Sequence, residues 1–139
     1  SDKEINQDHI LKFEEYDRIF PLWSIQDSLG SKNLSLSLEI LNSFLINGTK
    51  ITVVIINLVN LFKQILLRKM GKVELVGYTG INKIIFNKLK FYEKKFSFNE
   101  LNKILQELRK IDLLSKSVSI NHQIFLEKLF INICKGFYA

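Results

Sequence analysis

A single cysteine, Cys134, among 139 residues excludes an internal disulfide framework and fits a reducing compartment. One proline, Pro21, and six glycines leave long stretches in which nothing interrupts a helix. The only histidines, His9 and His122, are far apart in sequence, and no HExxH, CxxC, GxSxG or Gly-rich phosphate-cradling motif occurs. Cys134 falls within an apolar stripe and reads as a packed thiol, not a nucleophile. His122, near a helix start, reads as a surface residue, and no isolated pair of carboxylates suggests acid–base chemistry. The expectation is a chain that is not an enzyme and needs neither cofactor nor metal. No basic, apolar, small-residue leader opens the sequence, and Ser1 in place of Met suggests a trimmed start, so the cytoplasm is the expected setting.

What is present is enough for one domain of ordinary size, which buries roughly two thirds of its unfolded surface. The net charge of +6 is uneven. Residues 1–50 carry five basic and eight acidic side chains, 51–95 nine and two, and 96–139 six and four, giving −3, +7 and +2. A basic middle suits contact with phosphates or an acidic partner, and equally suits a solvated lysine surface.

The chain is organised around Ile51–Arg68, which has no charge from Ile51 to Phe62 and no Gly or Pro anywhere. At about 100° per residue, Val54, Ile55, Leu58, Val59, Leu61, Phe62, Ile65 and Leu66 share one broad side of a helix. Lys63, Gln64 and Arg68 interrupt the run too soon for a membrane span. The β-branched stretch Thr52–Ile56 alone would suit a strand, but polar residues at 57, 60, 64 and 68 keep helical spacing. A central core helix is predicted. Its mixed face, Val53, Ile56, Asn57, Asn60, Gln64 and Leu67, is expected to be covered within the domain, with a subunit contact as the other option.

Residues 1–17 are polar with a small apolar kernel, Ile10, Leu11 and Phe13, enough for a turn or two of helix after Asn6 or Asp8. They read as the end of a preceding domain or a connector, ahead of a helical domain over 18–139. Pro21 as a first helical residue and Gly30 as a stop predict a short helix carrying Leu22, Trp23, Ile25 and Leu29. Ser31–Asn33 offer caps for a helix with Leu34, Leu38, Leu41 and Leu45 inward, broadened by Ile40 and Phe44 and ended by Asn47-Gly48. This helix and the long one are expected to form a hairpin. Glycines at 71, 77 and 80 leave room for about one helical turn over Lys72–Ile81. Asn82–Lys95 then forms a helix with Ile85, Leu89 and Tyr92 inward. Ser97-Phe-Asn-Glu100 matches a capping box before a helix burying Leu101, Ile104, Leu105, Leu108 and Ile111 and broken at Ser115–Asn121. A last helix, Asn121–Lys135, is expected to bury Ile124, Phe125, Leu129, Phe130 and Ile133. The fold class is therefore all-α, one antiparallel bundle of about six helices with short connections.

Val73–Lys95 also has the outline of a helix-turn-helix, a glycine-containing turn ahead of a basic helix. On that alternative Lys83, Asn87, Lys90 and Lys94 contact nucleic acid, although that helix carries no arginine.

The series of helices resembles the C-terminal collar domain of the delta subunit of the bacterial DNA polymerase III clamp loader. The pieces are Ile19-Phe-Pro-Leu-Trp-Ser-Ile-Gln-Asp-Ser-Leu-Gly30, Leu38-Glu-Ile-Leu-Asn-Ser-Phe-Leu45, the long apolar helix, Phe96-Ser-Phe-Asn-Glu-Leu101, Ile111-Asp-Leu-Leu-Ser-Lys116 and Leu126-Glu-Lys-Leu-Phe-Ile131. The resemblance implies a scaffold that assembles with delta prime and the gamma or tau subunits in DNA replication, with the sliding clamp engaged only through a region upstream in such proteins. It implies that 1–17 end a lid-like domain, and it carries no catalytic role over to Asp112 or Lys116. Gly77-Tyr-Thr-Gly80 departs from the shorter, single-glycine turn of that family. The implied subunit-contact face is Ile56, Asn57, Asn60, Gln64 and Leu67.

Overall fold

The computed structural model describes residues 20–72, 79–117 and 121–139. The apolar kernel at Ile10–Phe13 and most of the single turn expected within 72–81 lie outside them. Among the described residues six α-helices follow one another: α1 (Trp23–Gly30), α2 (Leu34–Ile46), α3 (Ile51–Lys69), α4 (Lys83–Tyr92), α5 (Phe98–Ser117) and α6 (His122–Cys134). A 3₁₀ turn, Glu93–Lys95, joins α4 to α5, and no strand occurs among the described residues. The protein is all-α.

The long helix α3 is the centre of the fold. Val54, Ile55, Leu58, Leu61, Phe62, Gln64 and Ile65 are buried on it, and its most extensive packing is against α5, with α1 and α4 covering other parts of it. Each large apolar side chain so buried contributes roughly 1.5–3 kcal/mol before entropy is subtracted. By length and composition α3 could cross a membrane, but in this fold it is the core. The α2–α3 hairpin does not form. Gly48 adopts φ +86° and Lys50 is extended, which redirects the chain so that α2 packs on α1 and α6 instead.

Helix ends follow local chemistry. The Asn33 and Asn82 side chains accept from the Leu36 and Ile85 amides at 3.2 and 2.9 Å. The capping box is formed in both directions, Glu100 N–H to Ser97 Oγ and Ser97 N–H to Glu100 Oε1, each at 3.1 Å. After α2 the Thr49 and Gly48 amides return to the Phe44 and Leu45 carbonyls, the paired bonds of a Schellman end with glycine in the left-handed position. Pro21 precedes α1 by two residues, its carbonyl accepting from the Ser24 amide at 2.9 Å.

The same end at α1 uses Lys32, not Gly30. Lys32 has φ +56°, and the Lys32 and Asn33 amides bond the Leu29 and Ser28 carbonyls. Its ammonium reaches Glu100 Oε2 at 2.9 Å and lies 4.6 Å from the centroid of the Phe96 ring. Gly30 is instead the buried last residue of α1, where a Cβ would come within 2.8 Å of the Tyr92 ring. This close approach docks α4 on α1. There the Tyr92 hydroxyl donates to Asp27 Oδ1, which also accepts from Lys88 at 3.0 Å.

Three other expectations change. On α2 the buried set is Ser37, Ile40, Leu41 and Phe44, a stripe rotated roughly 80° from the predicted leucines. Ser37 Oγ lies 2.9 Å from Ser28 Oγ and 2.7 Å from the Asn33 carbonyl, so small satisfied hydroxyls let α1 and α2 approach closely. Helix α5 runs through Ser115, whose hydroxyl bonds the Asp112 carbonyl at 2.6 Å and leaves the helix intact. On α6 Ile124, expected inward, is exposed, and Leu126, not among the residues expected inward, is buried.

Gly30→Ala is expected to destabilise the fold by about 1–3 kcal/mol through the forced shift of Tyr92, read from urea unfolding. Tyr92 itself yields a pH dependence. Burial, then its hydrogen bond to Asp27 and the charge on Asp27, raise its pKa far above the usual tyrosine value. The neutral phenol is favoured by folding, so its stabilisation is complete below about pH 10, where an unfolded tyrosine titrates, and declines as pH rises beyond that. Melting temperatures of wild type and Tyr92→Phe measured from pH 8 to 11 should converge at the alkaline end.

Candidate interaction surfaces

The mixed face of α3 divides into an inner and an outer part. Gln64 is buried in the core. Asn57 and Asn60 are half-buried and face the turn before α4. Gln26 Nε2, itself buried on α1, donates to the Asn57 carbonyl at 2.8 Å and to the Gly80 carbonyl at 3.3 Å. Gly80, at φ +72°, leaves no room for a Cβ, which would overlap the Asn60 side chain. The Asn57 Oδ1 atom is buried with no hydrogen-bond partner among the described residues.

The outer part is open. Ile56 is 59% exposed and Val53 40% exposed, and Lys63 is exposed while Leu67 is half-buried. The expectation that this face is covered within the domain therefore fails for Val53 and Ile56, because α5 reaches only one flank of α3. Val53, Ile56, Asn60, Lys63 and Leu67 are spaced three, four, three and four residues apart, the spacing of a seam that receives another helix. Beside it, Ile55, Ile56, Val59 and Asn60 of α3 and Leu105, Leu108, Arg109 and Asp112 of α5 line an open groove of about 370 Å³. Its floor is aliphatic. Arg109 and Asp112 supply one cation and one anion at the rim, the latter also paired to Lys116 at 3.1 Å.

A second surface lies on α4 and the 3₁₀ turn after it, which holds Lys94 beyond the end of the α-helix. Lys83, Asn87, Lys90 and Lys94 are all exposed, opposite the buried Ile85, Leu89 and Tyr92. Arg68 joins Phe86, Asn87 and Lys90 around a cleft of about 250 Å³, its Nε 3.7 Å from Glu93 Oε2. Most of the first helix and turn of the helix-turn-helix alternative, residues 73–78, lie outside the described residues, and its basic second helix is α4, beginning at Lys83.

His9 lies outside the described residues, and the two residues with catalytic potential among those described do not meet. His122 and Cys134 occupy opposite ends of α6, about 18 Å apart along the axis. His122 is half-buried, not a free surface residue, with Nε2 3.2 Å from the Leu114 carbonyl. Burial pushes the Cys134 thiol up to about 11, against the pull of Lys32 and Lys135, so the unreactive thiol dominates at neutral pH.

Comparison with protein families, curated proteins and solved structures returned no match.

Because Ile56 projects from the fold and Gln64 into it, the two should respond differently to substitution. Ile56→Glu is expected to change stability by less than about 0.5 kcal/mol, as at other surface positions. Gln64→Ala is expected to cost about 1 kcal/mol or more through lost packing, both by urea unfolding.

Proposed function

We propose that this chain is a non-catalytic scaffold domain of a clamp-loader delta subunit, assembling with delta prime and gamma or tau subunits for sliding-clamp loading in DNA replication in the cytoplasm. The observation that carries the reading is the outer seam of α3. A helix that forms the core with one side presents Val53, Ile56 and Leu67 on another, beside an aliphatic groove. Such a face gains from burial against a neighbouring subunit. The resemblance of the helix series to a collar domain supplies the identity of the neighbours. The sliding clamp is reached through a region upstream in such proteins.

A second reading follows from the lysines of α4. The exposure of Lys83 and Lys90 on one face of α4, with Lys94 exposed in the turn that follows, supports contact with a nucleic-acid backbone in the mode of the helix-turn-helix alternative. Duplex affinity should then fall steeply with salt and vanish when Lys83, Lys90 and Lys94 are all changed to Glu.

Mixing the chain with delta prime and gamma collar domains is expected to give co-migration in size-exclusion chromatography, lost in Ile56→Glu/Leu67→Glu while circular dichroism is unchanged. Failure of the wild-type chain to co-migrate overturns the scaffold reading. DNA binding that is undetectable at low ionic strength, or insensitive to salt, overturns the second.

A further inference from the structure

Helix α6 is apolar on two opposite sides, and only one of them meets the core. At about 100° per residue, Leu126, Leu129, Phe130 and Ile133 gather on the buried side. Ile124, Lys128, Ile131 and Lys135 gather opposite them within an arc of about 60°. Ile124 is 58% and Ile131 38% exposed, and both lysines are exposed. Among the described residues neither lysine takes part in an ion pair. The spacing of four, three and four is that of positions that meet a partner helix along a seam.

We propose that this face docks an acidic amphipathic helix of another protein, its aliphatic knobs set between Ile124 and Ile131 and its carboxylates on Lys128 and Lys135. The chemistry of the seam selects that partner. A nucleic-acid backbone would neutralise the lysines and leave the isoleucines against phosphate. A second copy of this chain would bring four lysines into one interface, with no carboxylate on the seam to offset them, since the neighbouring Glu127 lies at its edge and accepts from Gln123 at 3.0 Å. A helix with leucines flanked by glutamates satisfies both features together. The seam shares no residue with the groove between α3 and α5 or with the lysine face of α4.

The probe is a synthetic peptide of three heptads with Leu at a and d and Glu at e and g, whose own charge disfavours self-pairing. Calorimetric titration into the full chain at low salt should give saturable binding. Lys128→Glu/Lys135→Glu should weaken it by about tenfold or more, with circular dichroism unchanged, and should gain affinity for the same peptide carrying Lys at e and g. Ile124→Ser should weaken it independently of charge. Equal binding of the acidic peptide by wild type and the charge-reversed variant overturns the proposal, as does no binding by the wild type. Binding to phosphatidylglycerol vesicles in place of the peptide would assign the face to a membrane surface, and self-association in sedimentation abolished by Ile131→Glu would assign it to a second copy. Either result overturns it.

Discussion

Burial of Val54, Ile55, Leu58, Leu61, Phe62 and Ile65 is the interaction on which the other helices depend. A helix this apolar is stable in water only when most of its circumference is covered, and the cover comes from several directions. α5 lies along one flank, α1 and α4 close others, and Phe96 meets the Phe62 ring edge to face at 5.5 Å. What remains uncovered is the strip through Val53 and Ile56. The candidate interface is thus the residue of an incomplete burial, and its location follows from where the other helices can reach.

Polar contacts then fix how the helices sit. Gln26 ties α1 to the backbone of α3 and to Gly80 in one stroke. Asp27 holds Tyr92 and Lys88 of α4, and Lys32 holds Glu100 at the start of α5. All three acceptors or donors from α1 and its following turn serve a different neighbour, so an eight-residue helix with little core of its own aligns three longer ones. Buried or half-buried groups of this kind cost free energy when left alone and little when paired, which makes them better suited to specifying an arrangement than to strengthening it.

The helices and most of their ends were legible in the sequence because they follow from local chemistry. The Ser97–Glu100 box, Asn33, Asn82 and the Asn47-Gly48 end act within five residues and form as their residue types dictate. Rotation about a helix axis was less legible. Ser37 looks polar in a list and is buried because Ser28 faces it, and Ile124 looks apolar and is exposed because Leu126 occupies the core position. Gly30 read as a stop, yet its task is to admit the Tyr92 ring across 62 residues of chain. The outer seam of α3 was half legible: its residues were named, but Gln64 separates from Ile56 only once α5 is in place.

Lys32 carries a further consequence. Its left-handed backbone costs about 1–2 kcal/mol that a glycine would recover, while its ammonium bridges two helices that a glycine would leave unlinked. The two effects oppose each other at one position. A scan that recorded only overall stability would score the site as tolerant, and the tolerance would conceal a coupling between residues 32 and 100 that single substitutions cannot expose. Only a double-mutant cycle over residues 32 and 100 separates the two effects.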